Sequence, residues 1–85
     1  MEPSKKTIDR ACQWYKANLP TIRALLPLEL PRQPYGITLY PANWDITYWI
    51  NRWESDQLSL ADAETYICAQ LRPLFDVVRD RLIHG

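Results

Sequence analysis

From Ser4 onward, apolar residues fall at Ile8, Ala11, Cys12, Tyr15 and Leu19, the i, i+3, i+4, i+7, i+11 spacing of an amphipathic helix. Ser4 precedes the pattern and suits its N-cap, because a serine hydroxyl accepts from the free N–H groups of the first turn. Pro20 disfavours helical geometry at Leu19, so the pattern predicts a bend near residue 20 and a short new helix carrying Ile22, Leu25 and Leu26. Between Pro27 and Pro41 prolines recur at short intervals, fixing φ and removing backbone donors. That stretch predicts an extended strap with a turn at Gln33–Gly36; a strand at 36–40 would have no partner, and no sheet is expected.

A second long helix is expected from Ala42 or Asn43 to about Glu54, with Asn43 as its cap and Asp45 in the first turn, where the helix dipole favours an acid. Ile46, Trp49, Ile50 and Trp53 form its core stripe, while Trp44 and Tyr48 lie on roughly the opposite side. Ser55-Asp56-Gln57 then makes a polar turn. Leu58-Ser59-Leu60-Ala61-Asp62 reads as a capping box, with Ser59 bonding the N–H of Asp62 and Leu58 in the staple position. The third helix carries Leu60, Ala63, Ile67, Leu71, Leu74, Phe75, Val78 and Leu82, a stripe that keeps phase across Pro73.

The pattern thus predicts an all-α fold: a small helical bundle of three main helices plus a short one, with a proline-rich extended strap and a C-terminal helical hairpin. With 85 residues, 47% of them apolar, the chain builds one domain spanning 1–85 and one core. Helices two and three should pack antiparallel, and helix one should cover them.

Ten basic residues balance ten acidic ones, yet residues 1–32 hold six basic groups against three acidic, and 33–85 four against seven. Attraction between the halves is the plainest consequence. A second is a basic group on helix one, Lys5, Lys6, Arg10 and Lys16, able to contact nucleic-acid phosphates with Trp14 beside it for stacking. The balanced total and the lack of a reading motif weigh against that use.

Catalytic material is scarce. The only histidine is His84, and two glycines, Gly36 and Gly85, exclude a glycine-rich phosphate loop. Cys12, Cys68 and His84 make no zinc pattern, and both cysteines read as reduced core residues. Asp62, Glu64, Asp76 and Asp80 sit at spacings that ordinary surface ion pairing explains. The sequence therefore predicts no catalytic, cofactor or metal site. The polar start of the chain and the absence of a long apolar run predict a cytoplasmic protein with no membrane partner.

Four Trp and five Tyr remain as the distinctive feature. Trp44 and Tyr48, with Tyr35 and Tyr40 upstream, are the residue types that anchor protein interfaces. They predict a non-catalytic protein–protein interaction module, a small regulator or adaptor that binds a partner or a second copy of itself. The alternative is a nucleic-acid-binding accessory protein acting through helix one.

Overall fold

The computed structural model describes residues 4–29 and 38–84. The chain folds as α1 (Lys5–Leu25), β1 (Leu28–Glu29), β2 (Thr38–Tyr40), α2 (Thr47–Glu54), α3 (Leu60–Ala63), a π-helical turn (Glu64–Cys68) and α4 (Ala69–His84). Because α3, the π turn and α4 follow one another without a break, they form one long joined helix. The fold is all-α, as the periodicity predicts.

Ser4 caps α1, its Oγ accepting from Thr7 N–H at 3.2 Å. Contrary to the expected bend, α1 runs through Pro20 to Leu25 and absorbs the short helix predicted after it. A helical proline removes one hydrogen bond and crowds the preceding turn. Here Tyr15 (2% exposed) and Ile22 (0%) flank Pro20 and lie in the same core, so burial on both sides offsets the local penalty. Pro20 itself is exposed.

Contrary to the expectation that a strand at 36–40 has no partner and that no sheet forms, β2 pairs with β1 at the other end of the strap as a short antiparallel ribbon, Leu28 opposite Tyr40 and Glu29 opposite Thr38. The Leu26–Pro27 peptide is cis. The predicted turn at 33–36 and most of the strap lie outside the described residues.

Helix α2 begins at Thr47, several residues later than predicted, after a turn in which Trp44 N–H bonds Pro41 C=O at 2.9 Å. Asp45, not Asn43, serves its start: Asp45 Oδ1 accepts from Thr47 N–H at 2.7 Å and from the Thr47 hydroxyl at 2.5 Å. The helix closes with Gln57 N–H on Arg52 C=O and Asp56 N–H on Trp53 C=O, Asp56 taking the left-handed conformation at φ 58°. Ser59 then caps α3, its Oγ accepting from Asp62 N–H at 3.2 Å, the first half of the predicted capping box.

The π turn was not foreseen. An i→i+5 turn holds one residue more than an α turn. Ile67 and Cys68 are both buried, and the core stripe continues through Leu71, Leu74 and Val78. Phe75 and Leu82, expected on that stripe, are instead 37% and 66% exposed. The core joins Ile8, Cys12, Tyr15 and Ile22 of α1 to Ile50 and Trp53 of α2 and to the buried face of the joined helix, with Ile46 just before α2. Each such side chain contributes roughly 1.5–3 kcal/mol by leaving water.

Candidate functional site

Two surfaces flank the π turn, and π turns are frequent at functional sites. The first is aromatic and lies where α2 meets that turn. The Trp49 indole stacks on the Tyr66 ring, with centroids 4.3 Å apart and planes 9° from parallel. Tyr48 meets Trp49 edge-on at 5.0 Å and is 59% exposed. The Arg52 guanidinium lies over the Tyr48 ring at 5.7 Å and donates to its hydroxyl at 3.4 Å. Four residues thus make a ladder of flat groups, held at its base because half-buried Trp49 packs against the core.

The predicted partner-binding residues divide around this ladder. Tyr48 belongs to it. Trp44 is half-buried, edge-on to Tyr15 and Tyr40 at 5.9 and 4.7 Å, and donates its indole N–H to Gln70 Oε1 at 3.2 Å. Tyr40 is buried at 5% exposure and donates its hydroxyl to Gln70 C=O. Burial pushes the Tyr40 hydroxyl above its ordinary pKa. Tyr35 lies outside the described residues. Sequence reasoning assigned Trp49 to the core and did not single out Tyr66, whose place beside Trp49 depends on the packing of α2 against the π turn.

The second surface is a furrow between α1 and α4. A cavity of about 430 Å³ is lined by Arg10, Ala11 and Trp14 from α1 and by Glu64, Arg72 and Phe75 from the joined helix. An adjoining cavity of about 450 Å³ shares Trp14 and Phe75 and continues along Val78, Leu82 and Ile83. Trp14 and Phe75 touch across the furrow with ring centroids 4.2 Å apart. Glu64 Oε1 accepts from Arg72, and Glu64 Oε2 is buried with no hydrogen-bond partner. Cys68 also lines this furrow. Burial, then the Glu64 charge, pushes its thiol up to about 11.

The structure places the basic residues of helix one in different settings. Lys16 pairs with Glu54, its Nζ 2.6 and 2.8 Å from the two carboxylate oxygens. Arg10 lines the furrow, and Lys5 and Lys6 are exposed at the start of α1. Among the described residues, no group of three His, Cys, Asp or Glu side chains is placed to hold a metal ion. Also among them, no helix is long and apolar enough to cross a membrane. Comparison with known protein families, with curated proteins and with solved structures finds no match to this chain.

Proposed function

We propose that this chain is a non-catalytic, cytoplasmic protein–protein interaction module, a small regulator or adaptor that presents the ladder Tyr48, Trp49, Tyr66 and Arg52 to a protein partner, a second copy of itself included. The observation that carries the reading is the stacked Trp49–Tyr66 pair continued by a Tyr48 that is 59% exposed. Tyrosine, tryptophan and arginine supply most interface hot spots, because a rigid flat side chain buries much area while losing little rotamer freedom. Trp49 and Tyr66 already hold each other in place, which lowers the ordering cost of association further. Two free, buried cysteines suit a reducing compartment.

Light scattering over a range of concentrations, with quantitative pull-downs, tests the reading against the double variant Tyr48→Ala with Tyr66→Ala. Association by wild type that falls at least about tenfold in a variant of unchanged helical signal is the expected result, the size of one or two lost hot-spot contacts. Association indifferent to both rings, or none at all, would overturn it.

A further inference from the structure

The furrow between α1 and α4 has chemical polarity along its length. Arg10, Arg72 and Thr7 stand at one end, Trp14 and Phe75 form its middle, and Leu82 and Ile83, each 66% exposed, mark the other end. Cavities of about 430 and 450 Å³ lie end to end along this trough, with the touching Trp14 and Phe75 rings lining both. Each lies within the roughly 300–1,000 Å³ that small-molecule sites occupy. From Arg72 to Leu82 the helix rises about 15 Å at ~1.5 Å per residue.

The charged end is positive toward an incoming ligand. Glu64 is the one acid in the first cavity; one of its oxygens is engaged by Arg72 and the other is buried. Arg10 is exposed and has no ion-pair partner among the described residues. Arg79, further along, is paired with Asp76 at 3.1 Å as Arg72 is with Glu64, so Arg10 carries the uncompensated charge of the trough. Guanidinium groups offer forked donors that match a carboxylate. We propose that this trough binds a medium-chain alkyl carboxylate, its head on Arg10 and Arg72 and its chain laid over Trp14 and Phe75 toward Leu82 and Ile83. The proposal is independent of the aromatic ladder, which lies on α2 and the far side of the π turn.

Calorimetric titration below micelle-forming concentrations, using hexanoate, octanoate and decanoate with decanol and decyltrimethylammonium as controls, provides the test. Decanoate binds once per chain, and each added pair of methylenes strengthens binding by about tenfold, as the burial of apolar area requires. Decanol binds about tenfold more weakly for want of the charged hydrogen bonds, and the cation more weakly still. Arg10→Ala weakens decanoate by about fivefold to tenfold and leaves decanol unchanged. Leu82→Ser weakens decanoate but not hexanoate. Glu64→Gln, which removes the acid competing for Arg72, strengthens decanoate. Arg10 and Leu82 are exposed, so those two variants keep the wild-type melting temperature. Equal affinity for the acid, the alcohol and the cation would overturn the proposal, as would binding unmoved by Arg10→Ala and Leu82→Ser. So would a dimer that Leu82→Ser dissociates and decanoate does not, since the trough would then be covered by a second copy of the chain.

Discussion

Trp53 donates its indole N–H to Asp9 Oδ1 at 2.8 Å, tying the end of α2 to the first turns of α1 while its rings close the core. Beside it, Lys16 and Glu54 make a second tie between the same two helices. Lys16 and Glu54 belong to the basic first part of the chain and the acidic remainder, so part of the charge asymmetry is satisfied within the molecule.

Trp53, at 9% exposure, is therefore the tryptophan whose loss the fold tolerates least. Trp53→Ala should destabilise by about 3–5 kcal/mol, the range for deleting a large buried aromatic. Trp49→Ala should destabilise less, because Trp49 is half-buried and rests on Tyr66 at the surface. Chemical denaturation of the two variants checks the ranking, and an equal or reversed order would place the core face of α2 on the wrong side.

How much of this was legible in the sequence depends on the range of the interaction responsible. Ser4 and Ser59 were readable as caps because a cap is a contact over three residues, and both bonds form. Ile46, Ile50 and Trp53 were readable from period alone. Pro20 was misread because its local penalty is outweighed by the burial of Tyr15 and Ile22, which a local rule does not contain. Phe75 was misplaced because it lies at the edge of the stripe and packs on half-buried Trp14 at the surface, a contact that helical period alone does not contain. In the candidate ladder Tyr48 was found as an aromatic off the core stripe, whereas Tyr66 acquires meaning only from Trp49 packing on it. The trough could not be read at all, since Arg10 and Arg72 come to line one cavity only when α1 lies on the joined helix.

Asp56 holds φ 58° at the end of α2, a conformation that glycine enters without steric penalty and aspartate tolerates better than most residues. The Asp56 side chain is exposed, so its removal leaves no hole. Asp56→Gly should raise stability by a few tenths to about 1 kcal/mol, the relief at the left-handed position being offset in part by a more flexible unfolded chain. Asp56→Val should lower it. Thermal melts of the pair test whether the turn between α2 and α3 has this shape.

Cys12 and Cys68 are free thiols at 3% and 6% exposure, and burial pushes both up to about 11. For Cys12 the charge of Glu54 is the next contribution, and for Cys68 that of Glu64. A thiol is deprotonated near pH 8.5–9 in the unfolded chain and only near 11 in the folded one. The folded state then holds more protons between those values, and stability must fall as pH rises from about 9 toward 11. Cys12→Ala with Cys68→Ala should flatten that decline while lowering stability at neutral pH by the loss of packing. Iodoacetamide should modify the native thiols far more slowly than those of the urea-unfolded chain, and equal rates would mean that neither is buried.

Asp45 joins three groups at one oxygen: Thr47 N–H, the Thr47 hydroxyl and the Tyr15 hydroxyl, the last at 3.1 Å. The bonds from the Thr47 hydroxyl and backbone hold its carboxyl below the usual range, and the bond from Tyr15 acts in the same direction. At the other end of that contact, burial first and the Asp45 charge second raise the Tyr15 hydroxyl above its ordinary value. A carboxyl depressed in the folded state adds stability at pH values above its unfolded pKa of about 4, and that contribution disappears as pH falls through the lower folded value. Asp45→Asn keeps an oxygen for Thr47 but loses the charge, so it should be slightly less stable than wild type at pH 7 and converge with it at pH 2. Asp45→Ala loses the acceptor for the Thr47 N–H as well and should be less stable than wild type by about 0.5–1.5 kcal/mol at neutral pH. Melting temperatures of the three proteins across that pH range decide the matter: a gap between wild type and Asp45→Asn that stays constant down to pH 2 would mean that the carboxylate charge plays no part in holding α2 to α1.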